Sequence, residues 1–297
     1  MLKHTLKKAL RKGAFFASVC YILLSTTFAN AKNCTSYTLS SPEKATVKWV
    51  YDGDSLQLTD KRKIRIIGID TPETKHHKQK AQAYGAKARE ALRALLKKHH
   101  YQITLRYSKE RLDKYSRTLA HVYLPDGTNI SNWLLERGFA KTLAFPPNVA
   151  LANCYKQSEK LAQAQGLRLW RYKSNQIKVA NSLPRRVSGY VRLIGKVSKI
   201  KHYKKSLVME LGTNSKSRIQ VKLKKQYLRY FTKIDPDKLW NKTIIVTGIL
   251  RNKKGKRTLH LTHSTQLELA TEAIGQQKLS GNSKTNKKTA KIKWSSE

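Results

Sequence analysis

Acidic side chains are scarce in this 297-residue chain, which holds 18 Asp plus Glu against 61 Lys plus Arg. Five of the 18 fall in three short patches: Asp52 and Asp54 around Gly53, Asp70 and Glu73 around Thr71-Pro72, and Asp113 at the head of Asp113-Lys-Tyr-Ser-Arg117. Each patch stands at the end of an extended run, and guanidinium groups flank two of them: Arg65 precedes the second patch and Arg117 closes the third. Carboxylate and carbonyl oxygens suit a hard cation, Ca²⁺ or Mg²⁺. An Arg fork matches two phosphate oxygens at once. The pattern therefore fits a hard-cation site next to a phosphate clamp. A phosphodiester repels hydroxide, so positive charge must neutralise it before attack, with more effect on the more highly charged transition state. A carboxylate within reach of the water adds base catalysis of roughly 10²–10⁴-fold. Singly, each residue has a duller reading: Asp52-Gly53 as a turn, Asp113 as a loop cap, Arg65 as a solvated cross-strand partner. The spacing of all of them together favours chemistry.

The flanking sequence predicts the elements that hold these patches. Val47–Tyr51 and Ser55–Leu58 read as strands around the Asp52-Gly53 turn, and Lys63–Ile69 as a strand stopped at Asp70-Thr-Pro72. Ala88, Ala91, Leu92, Leu95 and Leu96 recur at helical spacing within 81–98. Two more strands are expected over 101–107 and 119–124, then helices over 130–137 and 154–167, with Gly138 and Gly166 at their C-terminal caps. Strands with helices packed on them make an α+β, mostly β, domain spanning 45–170. Residues 171–186 read as a polar, basic linker. Five strand candidates follow (187–200, 206–211, 218–223, 243–250 and 257–263), with one short helix, 226–234, between the third and fourth. That order suggests an OB-type β-barrel over 187–270. The Lys-, Ser- and Asn-rich stretch 276–297 reads as a disordered basic tail.

A formal charge of +43 calls for a polyanion, and charge alone does not choose among nucleic acid, anionic lipid and acidic polysaccharide. The length suggests two domains, and 39% hydrophobic residues exclude a wholly disordered chain. No run of about 18 apolar residues occurs, which excludes a polytopic membrane protein. Residues 1–31 combine a basic head (Lys3 to Lys12), an apolar middle (Ala14 to Phe28) and Ala29-Asn-Ala31, the pattern of a secretory signal peptide. Export to the periplasm or the medium is expected, without membrane insertion after cleavage. Cys20 leaves with the signal, and Cys34 and Cys154 can form one disulfide in an oxidising compartment.

Tyr51-Asp-Gly-Asp-Ser55, Ile64-Arg-Ile-Ile-Gly-Ile-Asp-Thr-Pro-Glu73 and Asp113-Lys-Tyr-Ser-Arg117 resemble the three active-site motifs of the staphylococcal nuclease (thermonuclease) family. Ala83-Tyr-Gly-Ala-Lys-Ala88 and Gly166-Leu-Arg-Leu-Trp170 match in order as well. The resemblance covers about 45–170 and implies a five-stranded OB-type barrel with helices, and Ca²⁺-dependent cleavage of DNA and RNA that leaves 3′-phosphate ends. It implies that Asp54, Asp70 and the Thr71 carbonyl ligate calcium and that Glu73 positions or deprotonates the attacking water. Arg65 and Arg117 would grip the scissile phosphate, Asp52 would support the ligands, and Lys114 and Tyr115 would contact the nucleotide's other phosphate. Ser55 and Ser116 stand where staphylococcal nuclease carries Thr and Gly. Lys141–Pro147 lacks the pair of tyrosines that lines the base pocket, leaving Phe145 as the aromatic near that spot. The second barrel is similar to a small β-barrel that follows the nuclease domain in some bacterial relatives. Its aromatics (Tyr190, Tyr203, Tyr227, Tyr230, Phe231 and Trp240) have two readings, base stacking or core packing. A monomeric nuclease is the first expectation. A non-catalytic, cationic nucleic-acid-binding protein of the cell envelope is the second, and a cationic envelope-binding protein the third.

Overall fold

The computed structural model describes residues 34–36, 38–74, 81–212, 218–253 and 255–271. The expected signal peptide and basic tail lie outside these residues. Alternating apolar side chains turn the first segment into strands: Leu56 and Leu58, Ile64 and Ile66, and Ile103 and Leu105 are all essentially inaccessible to solvent. The strands are β1 (Glu43–Asp52), β2 (Ser55–Leu58), β3 (Lys63–Ile66), a two-residue β4 (Ile69–Asp70), β5 (Gln102–Arg106) and β6 (Thr118–Tyr123). All but β4 close into a barrel in the order β1-β2-β3-β6-β5, with β5 returning to β1. All pairings around the ring are antiparallel except β3 with β6.

Helix α1 (Gly85–Lys98) buries Ala88, Leu92 and Leu96 against the barrel. It starts four residues later than expected because Tyr84 has φ +70°, a left-handed conformation that cannot continue a right-handed helix. Helices α2 (Ile130–Glu136) and α3 (Ala152–Ala164) are followed by Gly138 and Gly166 with φ +67° and +60°, as the C-cap reading requires. A two-residue strand, β7 (Lys141–Thr142), pairs with β4. Cys34 and Cys154 are joined as a disulfide, Cα to Cα 5.9 Å, tying the start of the described chain to α3.

The second half comprises β8 (Ile177–Val179), β9 (Gly189–His202), β10 (Ser206–Leu211), β11 (Ile219–Lys224), β12 (Thr243–Lys253), β13 (Lys256–Leu261) and β14 (Leu267–Leu269). Strands β9-β10-β11-β13-β12 close on themselves through the β12–β9 pairing, and β11 with β13 is the parallel pair. Strand for strand this repeats the topology of the first barrel. All five strand expectations are present. The helix expected at 226–234 is a 3₁₀ turn, Lys225–Tyr230, with a second turn at Pro236–Leu239. Residues 171–186 are not a loose linker. β8 adds to β9 in parallel, and Ala180 and Leu183 are buried in the second core. Pairing to the following strand supplies order that the local composition hides.

Both barrels belong to one compact unit that begins at Cys34. Lys156 of α3 meets Glu159 at 2.8 Å and Glu268 of β14 at 3.3 Å, while Lys160 meets Glu268 at 2.8 Å. Arg192 donates to Gln163 Oε1 at 2.7 Å, and Thr262 Oγ1 to the Ala144 carbonyl at 3.1 Å. Among the described residues no helix is long and apolar enough to cross a membrane.

Candidate active site

The first two patches are stitched together by their own carboxylates. Asp54 accepts the Thr71 N–H at 2.8 Å on Oδ2 and the Ser55 hydroxyl at 3.0 Å on Oδ1. Asp52 accepts the Thr74 N–H at 3.1 Å and its hydroxyl at 2.5 Å. Buried acids gripping two backbone N–H groups fix the 70–74 segment over the β1–β2 turn. Gly53 permits the close approach, since a Cβ there would lie 2.7 Å from Thr71 Cγ2 and 3.0 Å from Ala88 Cβ. Gly85 does the same at the start of α1, where a Cβ would lie 2.3 Å from the Glu73 carbonyl. That carbonyl also accepts the Gln82 N–H at 3.0 Å.

Arg65 sits on β3 opposite Ser55. Its Nη1 lies 3.0 Å from Asp54 Oδ2 and its Nη2 3.5 Å from Asp70 Oδ1, so one guanidinium spans both carboxylates. Burial, then the charge of Asp54, pushes the Asp70 carboxyl above its usual range. Burial, then Asp52, Asp54 and Asp70, does the same to Glu73. Four carboxylates thus share more negative charge than Arg65 cancels.

The third patch is a self-organised loop. Asp113 Oδ1 accepts the N–H groups of Tyr115 (2.9 Å) and Arg117 (3.0 Å), and its Oδ2 receives Arg117 Nε at 2.8 Å. Burial would raise the Asp113 carboxyl, but the hydrogen bonds from Arg117 and Tyr115 hold it below the usual range. Ser116 has φ +60°, which accounts for the Gly that staphylococcal nuclease carries there. Arg117 directly precedes β6, whose Leu119 pairs with Arg65, so the barrel sets Arg117 at the head of the strand that neighbours Arg65's. Tyr115 is 68% exposed, with Lys114 Nζ 4.8 Å and the Arg117 guanidinium 5.5 Å from its ring centre.

Phe145 is 65% exposed. It shares a cavity of about 240 Å³ with Asp70, Lys141 and, from the second barrel, Tyr190, Arg251 and His260. The β4–β7 pairing puts Lys141 opposite Asp70, and Lys141 Nζ lies 3.8 Å over the Tyr190 ring. The structure therefore adds Thr74, which holds Asp52, and Lys141 beside Asp70, and it gives two residues already singled out a defined place: Asp113 holds Arg117, and Tyr190 lies beside Asp70. Among the second-barrel aromatics, Phe231 is buried, Tyr227 and Tyr230 pack on the core, and Tyr203 and Trp240 are exposed.

The oxygen set fits a hard cation. The Thr71 hydroxyl is buried beside Asp54 without a hydrogen-bond partner, next to two carboxylates that repel each other. Among the described residues no three His, Cys, Asp or Glu side chains converge on one point. Asp54, Asp70 and a Thr71 oxygen would thus form an incomplete shell, with coordination positions left for water or phosphate oxygen.

Comparison with known proteins identifies the family. The family model described as staphylococcal nuclease homologue matches residues 63–172, which include Arg65, Asp70, Thr71, Glu73 and Arg117. The chain is 37% identical over 135 residues to the thermonuclease of Staphylococcus intermedius, covering 43% of this chain and 76% of that protein. It is 31% identical over 173 residues to the thermonuclease of Staphylococcus hyicus, covering 55% and 98%. It is also 34% identical over 124 residues to the SPbeta prophage-derived endonuclease YokF of Bacillus subtilis, covering 40% and 41%. The chain belongs to the staphylococcal nuclease family of metal-dependent nucleases and is a hydrolase of nucleic acids.

Proposed function

We propose that this nuclease is exported, depends on Ca²⁺, and hydrolyses phosphodiester bonds of both DNA and RNA with little sequence preference, leaving 3′-phosphate ends. The observation that carries the reading is the joint arrangement of Asp54, Asp70 and Arg65, two oxygen-donor acids bridged by one guanidinium at a strand end. Asp54, Asp70 and the Thr71 carbonyl would hold the Ca²⁺, which when bound supplies positive charge to the scissile phosphate. Asp52 keeps the 70–74 segment in place through Thr74. Glu73 takes the proton of the attacking water, a role served by a carboxyl whose surroundings make it more basic than usual. Arg65 and Arg117 neutralise the phosphate oxygens as charge grows on them. Lys114 and Tyr115 flank Arg117 and meet the neighbouring phosphate. Phe145 offers a face to a base.

Export is supported by the signal-like pattern of residues 1–31 and by the Cys34–Cys154 disulfide, a bond that persists in oxidising compartments. The periplasm or the medium is the proposed location, with the mature chain a monomer. The test is incubation of the mature chain with matched single-stranded DNA, duplex DNA and RNA at one salt concentration, with Ca²⁺ or with excess chelator. Cleavage of all three that stops in chelator, with 3′-phosphate products, is expected. Binding without cleavage would establish the non-catalytic alternative instead.

A further inference from the structure

The cavity at Asp70 does not end at the first barrel. Arg251 and His260 line it and also line an open depression of about 560 Å³ with Lys222, Lys253, Lys256 and Thr258. Lys222 and Lys256 in turn border a third depression, of about 530 Å³, which ends at Tyr203, Lys204 and Lys205. Neighbouring depressions thus share wall residues, and the two outer ones carry no acidic side chain.

Strand register explains the run of cations. On β11, Ile219, Val221 and Leu223 point into the second core, so Gln220 and Lys222 point out. On β13, Leu259 and Leu261 point in, so Thr258 and His260 point out. Lys222 pairs with His260 and Arg251 with Thr258, which makes one outward face. The loops from β9 to β10 and from β12 to β13 form its rims, at Tyr203–Lys205 and at Lys253 and Lys256. In OB-type barrels the face of the second and third strands and these two loops hold oligonucleotides. Here those strands are β10 and β11. Burial, then the charges of Arg251, Lys222 and Lys224, lowers the His260 pKa from its usual value, in line with the positive potential along this face.

We propose that this groove binds single-stranded nucleic acid and forms, with the Asp70 cavity, one track along which the strand to be cut lies across both barrels. It rests on the nuclease reading only in that the strand held is also the strand cleaved. Backbone phosphates meet Lys222, Arg251, Lys253 and Lys256 without sequence readout. An exposed aromatic marks each end, Phe145 near the carboxylates and Tyr203, 53% exposed, at the far rim. Such faces stack unpaired bases, whereas a duplex keeps its bases stacked on each other. The second barrel then serves as a grip that lengthens the substrate footprint.

The test uses the full mature chain and the variants Lys222→Ser/Lys256→Ser and, separately, Tyr203→Ala, with melting temperatures checked against the unaltered chain. For a single-stranded 30-mer, KM is expected to rise about tenfold in the double variant while kcat holds. The slope of log affinity against log salt should drop by about 1.4, two lost single-strand phosphate contacts. A dinucleotide, too short to reach the groove, is the internal reference, and an equal loss on it would overturn the proposal. So would an unchanged KM for the 30-mer, a loss on duplex as large as on single strand, or weakened binding to phosphatidylglycerol vesicles with unchanged binding to the 30-mer. Should the double variant unfold, Tyr203→Ala decides by the same comparison. Should the unaltered chain cut nothing, the nuclease reading fails, and anisotropy of a labelled 30-mer judges the groove alone. Tenfold weaker binding upholds it then, and equal binding overturns it.

Discussion

Asp113 holds Arg117 at 2.8 Å through Nε, and the same carboxylate caps the N–H groups of Tyr115 and Arg117. The acid of the third patch is thus the mount of an arginine. Removing Arg117 is expected to lower the cleavage rate about 10²–10³-fold, the usual loss for a transition-state donor. Asp113→Ala should lower it by about 10-fold to 10²-fold through lost positioning. In the Arg117→Ala background, Asp113→Ala should add little, which a double-mutant cycle on kcat would show.

Gly53 separates the two buried acids of the first patch. Gly53→Ala puts a methyl group into Thr71 and Ala88, with Thr71 Cγ2 at 2.7 Å from the new carbon. Overpacking of this kind costs about 1–3 kcal/mol. Thermal unfolding should register that loss, and cleavage should fall by more than the unfolded fraction explains, because Asp54 and Thr71 shift together.

His121 is buried between the barrel and α3, with Nδ1 2.9 Å from the Tyr155 hydroxyl. Burial drives its pKa down from 6.5 to about 4. Below pH 6.5 the unfolded imidazole binds a proton that the folded one refuses, so stability falls as pH drops through the window from 6.5 to 4. The loss by pH 4 is on the order of 3 kcal/mol. Chemical unfolding at a series of pH values should show this limb, and His121→Asn should flatten it.

The Cys34–Cys154 bridge closes a span of 120 residues. Chain-entropy reasoning puts its contribution at about 4–5 kcal/mol. Replacing both cysteines by serine should lower the denaturant midpoint accordingly, with the active-site loops still assembled in the remaining folded fraction.

The barrel was legible because Leu56, Leu58, Ile64, Ile66, Ile103 and Leu105 alternate with polar neighbours, and burial on one side of a pleat leaves that period in the sequence. The carboxylates and arginines were legible by type, since acids are rare in so basic a chain. What local sequence does not carry is long-range pairing. The three residues of β8 are ordered by β9, and the two-residue β7 gains its meaning from lying against β4, which brings Lys141 to Asp70. Tyr190 is one of six aromatics over 187–270, and nothing in its neighbourhood tells that it packs beneath Lys141. Nor does the Asp113-Lys-Tyr-Ser-Arg117 string say whether Asp113 faces a cation or its own arginine. The three hydrogen bonds it accepts decide that.

Asp54 and Asp70 share Arg65 now and would share a divalent ion in the working enzyme. Cleavage of a labelled single-stranded oligonucleotide, followed across Ca²⁺ concentration for the unaltered chain and for Asp70→Asn, tests this directly. The rate should saturate with Ca²⁺ and vanish in excess chelator, and Asp70→Asn should need at least about tenfold more Ca²⁺ to reach half its lower maximum. Full-rate cleavage in chelator, or the same Ca²⁺ dependence in both proteins, would contradict a cation held by these two carboxylates.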